Sequence, residues 1–249
     1  MLSNPKISVV IPFHNSETTL GKTLDSLVSQ TMPDWEAILI DDASTDAGVV
    51  LVQERATKDP RLRLIQSTQQ LGPARARNLG INNARARYVA FLDSDDLWFP
   101  DKLLVQLPVL EAGTAIVFSA YERVDSSGRV LRRMSAQECV HYRDLLSGNP
   151  IGCLTAIWDR EHFGHVQMPI VPMHEDYAFW LQLLRDGSWA IGLPQVLAQY
   201  RVSSKSHSGQ KWRAARAFWT ILRAEPNISF PRASLGFMRY ATRAVLRQF

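Results

Sequence analysis

The sequence predicts an α/β fold: a central, mostly parallel sheet flanked by helices, followed by a helical tail. Apolar β-branched runs alternate with amphipathic segments through the first hundred residues. That order gives parallel strands joined by helical crossovers. Three of these strands run into a polar cluster, and open parallel sheets bind ligands outside the carboxyl ends of their strands. With 249 residues, 46% hydrophobic and 21% charged, the chain is long enough and apolar enough to bury such a sheet on both faces.

Each element has a local reason. Ile7–Phe13 (ISVVIPF) is a β-branched run of the buried-strand type and leads into His14-Asn15. Thr18–Gln30 places Leu20, Leu24, Leu27 and Val28 at helical spacing. Trp35–Ile40 is a second strand, ending in Asp41-Asp42-Ala43-Ser44-Thr45-Asp46. Val49–Thr57 reads as a helix, Arg61–Gln66 as a third strand and Ala74–Ala84 as a third helix. Tyr88–Leu92 is a fourth strand that runs into Asp93-Ser94-Asp95-Asp96.

Past Pro108 the alternation fades. Ala115–Ala120 reads as a strand, and Ser126-Ser127-Gly128 as a hairpin turn into Val130-Leu131. Glu175–Arg185 carries Tyr177, Trp180, Leu181 and Leu184 at helical spacing and stops at Gly187. From Trp212 onward the chain reads as two basic amphipathic helices separated by Pro226 and Pro231. These shifts divide the chain at 1–110, 111–208 and 209–249.

Charge is unevenly spread. From Lys205 onward there are nine Lys/Arg against one acid, Glu225, on a chain whose net charge is only +4. Such a tail suits an anionic surface, either a membrane or a nucleic acid. No aromatic stacking platform or reader motif accompanies the charge, which disfavours nucleic acid. Arg239, Arg243 and Arg247 form a stripe at four-residue spacing beside Leu235, Met238, Val245, Leu246 and Phe249. A helix of that kind lies on an anionic leaflet or packs on the body with its arginines in water. No run of about 18 apolar residues is present, so no membrane span is expected. The first residues lack the pattern of a secretory signal, so a cytoplasmic location, peripheral on the membrane, is expected. Cys139 and Cys153 have no metal-type spacing and read as two buried, reduced thiols.

Four constellations carry chemistry. Asp93-x-Asp95-Asp96 concentrates carboxylates at a strand end, a hard oxygen donor set that suits Mg²⁺ or Mn²⁺; the competing use is a helix cap near Pro100. Asp42 either accepts hydrogen bonds from a nucleobase or ribose, or takes part in a turn with Ser44, Thr45 and Asp46. Arg77 follows Gly72-Pro73 at a helix start and either pairs with a phosphate or carboxylate or points to solvent. Glu175-Asp176 opens a helix, where the dipole alone favours acids, or supplies a general base.

Together these residues resemble the family 2 glycosyltransferases, inverting enzymes with the GT-A fold. The matching pieces are Val9-Val10-Ile11-Pro12-Phe13-His14-Asn15 with Glu17, Ser29-Gln30-Thr31, and Ile40-Asp41-Asp42. Ala76-Arg77-Asn78-Leu79-Gly80, Phe91-Leu92-Asp93-Ser94-Asp95-Asp96, His174-Glu175-Asp176 and Tyr200-Arg201 complete the ordered set. The resemblance implies a nucleotide-sugar-binding half, an acceptor-binding half and a helical tail. It implies that Pro12, Asn15, Glu17, Asp42, Arg77 and Asp93 bind the nucleotide, with Asp42 reading the base. It assigns Asp95 to the metal, Mn²⁺ or Mg²⁺, with Asp96 as the alternate, and Asp176 as general base. The implied partners are a nucleotide-sugar donor, UDP-linked first among the choices, and a glycan or lipid-linked acceptor of the cell envelope. Where relatives carry Tyr-Arg-x-His, this chain has Tyr200-Arg201-Val202-Ser203, leaving His207 as a displaced candidate for the metal or diphosphate. Two rival readings remain. A nucleotidyltransferase or phosphatase would use the same acids, but the glycine-rich phosphate loop is missing after the first strand. A non-catalytic glycan- or nucleotide-binding module should have lost some of Asp93, Asp95 and Asp176.

Overall fold

The structure, a computed structural model, describes residues 4–202, 209–226 and 228–246. Strands β1 (Ile7–Phe13), β2 (Trp35–Asp42), β3 (Leu62–Ser67) and β4 (Tyr88–Phe91) alternate with helices α1 (Glu17–Val28), α2 (Gly48–Lys58) and α3 (Pro73–Asn83). All four strands pair in parallel in the order β3-β2-β1-β4. Because helices cover both faces, these strands are apolar without alternation, and successive residues feed opposite cores. Val10, Ile38 and Ile40 pack on the α3 side with Ala76 and Ile81. Val9, Ile11 and Leu39 pack on the other side with Leu20, Leu24 and Leu27 of α1. The α3–β1 approach requires glycine, since a Cβ on Gly80 would stand 2.3 Å from Val10 Cγ1.

The second half is a mixture of directions. Its elements are β5 (Leu97–Trp98), α4 (Lys102–Glu111), β6 (Ile116–Val124), β7 (Val130–Met134), β8 (Cys139–His141), α5 (Tyr142–Leu145), β9 (Ile157–Asp159), α6 (Arg160–Phe163), α7 (Glu175–Leu184) and β10 (Trp189–Arg201). The sheet continues as β4-β9-β6-β10-β5, with β7 paired to β6 and β8 to β10. The three-residue β9 runs antiparallel to both β4 and β6, so the parallel block gives way there to a mixed sheet. Sequence reading does not anticipate α4, β9 or β10. The reasons are local: α4 contains Pro108, and β10 contains Gly192 and Pro194. Proline is tolerated in β10 because its pairing with β6 slips between Leu193 and Val196.

Helices α8 (Gly209–Ala224) and α9 (Phe230–Leu246) follow. Pro226 lies between them as expected, but Pro231 sits inside the first turn of α9, where a missing N–H costs nothing. The inner faces dock on the body. Phe218 stacks between Tyr177 of α7 and Tyr240, at 4.9 and 4.0 Å between ring centroids. Glu225 accepts from Tyr142 and pairs with Arg185. Outward, Trp212, Phe230, Leu235 and Met238 are exposed. Among the described residues no helix is long and apolar enough to cross a membrane. Both cysteines are free, as expected, but only partly buried, because Cys153 lines a cleft and Cys139 lies in the short strand β8.

Candidate active site

A cleft of about 670 Å³ opens where the parallel block meets the mixed half, and Arg77, Asp93, Asp96, Glu175 and Asp176 line it. These residues come from α3, the β4 end and the α7 start. Arg77 ties them together. Its guanidinium donates to Asp93 Oδ1 at 2.6 Å and to Glu175 Oε1 at 2.8 Å, and its side chain is only 7% exposed. Burial opposes its charge, but Asp93 and Glu175 outweigh that and hold its pKa well above the ordinary value. Both terminal nitrogens are therefore committed to carboxylates, the carboxylate pairing that the sequence offers beside a phosphate one, and neither is free for phosphate in this arrangement. The next residue, Asn78, exchanges two hydrogen bonds with the Met168 backbone, anchoring the segment before α7 to α3.

The acids after β4 are under-neutralised. Asp96 is buried; its Oδ1 accepts the Arg201 N–H at 2.9 Å while Oδ2 has no partner. Burial, then repulsion from Asp93 and Asp95, pushes its pKa well up, against the pull of Arg201. Asp95, half-buried, is raised for the same two reasons, burial and Asp93. Among the described residues no three His, Cys, Asp or Glu groups form a ready-made metal cage. An orphaned buried carboxylate oxygen among like charges nonetheless fits a hard divalent cation. Mg²⁺ and Mn²⁺ take one or two protein carboxylates and complete their shells with water and phosphate oxygens. Asp95 itself lies outside the lining of the cleft, and His207 lies outside the described residues.

Asp176 stands at the second position of α7. Burial, then the neighbouring Glu175, raises its pKa; Arg77 and the Tyr177 N–H pull the other way. Its Oδ2 accepts from Asn149 Nδ2 at 3.0 Å. Asn149 Oδ1 in turn accepts the Ile151 N–H at 3.1 Å, which fixes which end of the amide faces the acid. Sequence reading passes over Asn149. The turn signal Gly148-Asn149-Pro150 marks a loop, but only the fold brings that loop to α7. The preceding carbonyl, Leu146 O, lies against α9, where a Cβ on Gly236 would come within 2.2 Å of it.

The remaining sequence-predicted residues cluster apart, over the carboxyl ends of β1 and β2 and outside the cleft lining. Asp42 is buried and accepts the Leu71 and Gly72 N–H groups at 2.5 and 3.0 Å, shaping the loop before α3. Asn15 Oδ1 accepts the Thr45 N–H at 2.8 Å, and Glu17 Oε2 the Ala47 N–H at 2.9 Å. Pro12 lies beside them, partly buried at the end of β1. Asn15, Ala43 and His174 are the non-glycine residues at positive φ among those described, at 48°, 59° and 63°. Each such residue costs about 1–2 kcal/mol. Asn15 and Ala43 flank the ends of β1 and β2 and His174 precedes α7, so the strain falls at the ends of elements that carry candidate site residues.

One buried cation is structural. Lys102 of α4, with its pKa lowered by burial, donates to Gln106 and to Thr155 O and lies 4.4 Å from the Trp98 ring centroid. It pins the turn Cys153–Thr155, whose Cys153 and Leu154 form part of the cleft wall.

Comparison with known proteins agrees with this geometry. Residues 8–159 match the family described as glycosyl transferase family 2. TuaG of Bacillus subtilis (strain 168), a putative teichuronic acid biosynthesis glycosyltransferase, is 38% identical over 246 residues, covering 98% of each chain. The Escherichia coli UDP-Glc:alpha-D-GlcNAc-diphosphoundecaprenol beta-1,3-glucosyltransferase WfgD is 32% identical over 87% of this chain and 85% of its own. Among solved structures, S. aureus TarS 1-349 in complex with UDP superposes with a TM-score of 0.71 at 21% identity, over 96% of this chain and 71% of that one. The Pyrobaculum calidifontis mannosyltransferase PcManGT, in complex with GDP-Man and Mn²⁺, gives 0.70 at 21% identity, over 96% and 70%. The chain is thus a glycosyltransferase belonging to family 2, with the GT-A fold.

Proposed function

We propose that the protein transfers a sugar from a UDP-linked donor to a hydroxyl group of a lipid-linked cell-envelope glycan precursor, by metal-assisted direct displacement that inverts the anomeric centre. One observation supports this most: Asp176, braced by Asn149, lines the same cleft as Asp93 and the under-neutralised Asp96. A base and a cation-seeking acid in one cleft are what displacement of a diphosphate leaving group requires. Bound at Asp95 with Asp96 or Asp93, Mn²⁺ or Mg²⁺ would stabilise the charge developing on that diphosphate. Asp176 takes the proton of the acceptor hydroxyl as it attacks. Its raised pKa favours that role, because a stronger base accepts a proton more readily. Arg77 holds Asp93 and Glu175 in register, and Pro12, Asn15, Glu17 and Asp42 shape the nucleotide pocket.

The UDP assignment draws on TarS, solved with UDP and with UDP-GlcNAc, and on WfgD, a UDP-Glc enzyme. The acceptor class draws on WfgD, named for a diphosphoundecaprenol acceptor, and on TuaG, named for teichuronic acid biosynthesis. The test is a matrix of UDP-Glc and UDP-GlcNAc against a GlcNAc-diphosphate lipid, with Mn²⁺ or EDTA, reading UDP release and the anomeric configuration of the product. Metal-dependent UDP release with inversion is expected. Absence of both UDP release and thermal stabilisation by UDP with Mn²⁺ would overturn the reading.

The tail supports a peripheral membrane position. Trp212 of α8 and Phe230, Leu235, Met238 and Arg239 of α9 are exposed, an apolar and cationic mixture suited to an anionic leaflet. Full-length protein should co-sediment with anionic vesicles at low salt and not with neutral ones. Equal recovery with both would sink the idea.

A further inference from the structure

The cleft holds a second arginine to which the reading above gives no role. Arg123 of β6 is half-buried and lines the cleft with Tyr121, two residues earlier on the same strand face. Among the described residues it has no carboxylate partner. Its neighbour Glu122 points to the other face, where Arg133 and Gln199 take its oxygens at 2.9 and 3.2 Å. Across the β6–β7 ladder Arg123 faces Arg132, so two cationic side chains share one face of the hairpin.

On the far side of Arg123 is Tyr200. Its phenol is within electrostatic reach of Arg123 and also of Asp96, Asp95 and Asp93. Arg123 therefore stands one phenol away from the acidic cluster without being neutralised by it. Burying part of a guanidinium without an anion carries a desolvation cost. A ligand anion would remove that cost, and the planar fork of arginine matches phosphate oxygens two at a time. Arg77, the other cleft arginine, has both terminal nitrogens occupied.

We propose that Arg123 and the adjoining hairpin face form a diphosphate-binding subsite in the cleft that Asp93 and Asp96 line. The subsite itself does not depend on the proposed reaction. Naming its ligand does rest on that reading, which offers two diphosphates: that of the donor nucleotide and that of a lipid-linked acceptor.

The probe is inorganic pyrophosphate, titrated calorimetrically into the full chain in EDTA, so that no metal bridges to the acids. Wild type binds; Arg123→Ala weakens binding at least tenfold, and Arg123→Lys falls between. Arg133→Ala, on the same hairpin but paired with Glu122, leaves binding unchanged. Circular dichroism and thermal unfolding confirm that each variant is folded. Wild-type affinity in Arg123→Ala, or no pyrophosphate binding by wild type, overturns the proposal.

The source follows from two further arms. Loss of UDP affinity in Arg123→Ala assigns the donor diphosphate. Unchanged UDP affinity with a tenfold higher KM for a diphosphate-lipid acceptor assigns the acceptor. A chain that binds pyrophosphate through Arg123 yet releases no UDP from any donor would keep the subsite and defeat the transferase reading, so the two failures are distinguishable.

Discussion

At the end of β4, Asp95 and Asp96 crowd together, and one buried Asp96 oxygen has no partner. At the start of α7, Glu175 has Arg77 and Asp176 has Asn149 and the Tyr177 N–H. Asp96 shares the cleft with Glu175 and Asp176, and Arg77 spans the two ends, reaching Asp93 on one side and Glu175 on the other. Yet the first group is left electrostatically short and the second is braced. The contrast teaches that the same residue type serves two ends: carboxylates left unpaired attract a cation, whereas a carboxylate held in a fixed direction can receive a proton.

The comparison can be broken most sharply at Asp176. Asp176→Asn should lower kcat by about 10² to 10⁴-fold, the usual contribution of a general base, while UDP binding with Mn²⁺ stays as in wild type. An equal loss of nucleotide affinity would move Asp176 to the donor side and erase the distinction.

The next largest effect is on stability. Asp95, Asp96 and Asp176 all have folded pKa values above the ordinary carboxylate range. For such groups the folded state binds protons more tightly than the unfolded chain, so stability falls as pH rises from about 4 through the raised values. In EDTA the thermal midpoint should decline across that window. Mn²⁺ should restore the share belonging to Asp95 and Asp96, leaving that of Asp176. A metal-free midpoint that is flat with pH would contradict the picture of the β4 acids.

Asn149→Ala should be milder. A hydrogen bond to a charged group contributes about 1.5–3 kcal/mol, so kcat should drop about tenfold or somewhat more with donor KM unchanged. Loss of a donor to the carboxylate also moves the acid limb of the pH–kcat profile upward. An unmoved limb would reduce Asn149 to a loop-shaping residue. Smallest is Arg185→Ala, which removes a half-exposed partner of Glu225 in the docked tail. It should cost less than about 1 kcal/mol in denaturant unfolding and leave kcat untouched, marking the tail pair as remote from both acid groups.

Most of the first hundred residues are legible in the sequence. The strand assignments Ile7–Phe13, Trp35–Ile40 and Tyr88–Leu92 fall on β1, β2 and β4 to within a residue or two. Their signal is local, since a strand covered on both faces is a continuous apolar run. The second half is less legible because its strands exist through distant partners. β9 has three residues and pairs with β4 and β6, and β10 is interrupted by Gly192 and Pro194, which argue against a strand when read alone. α4 is masked by Pro108 in the same way.

The site divides along the same line. Sequence alone determined that Asp42 and Asp93–Asp96 end strands and that Asp176 opens a helix, because periodicity and polar punctuation are properties of neighbouring residues. Only the tertiary structure decided that Arg77 is bound to Asp93 and Glu175 rather than free for phosphate, that Asp42 holds the Leu71 and Gly72 N–H groups, and that Asn149 braces Asp176. Those contacts join residues 27 to 98 positions apart, apart from Arg77–Asp93 at 16. Which of several chemically suitable partners a charged or polar side chain meets at such separations depends on how the two halves of the sheet pack, and spacing along the chain carries no record of it.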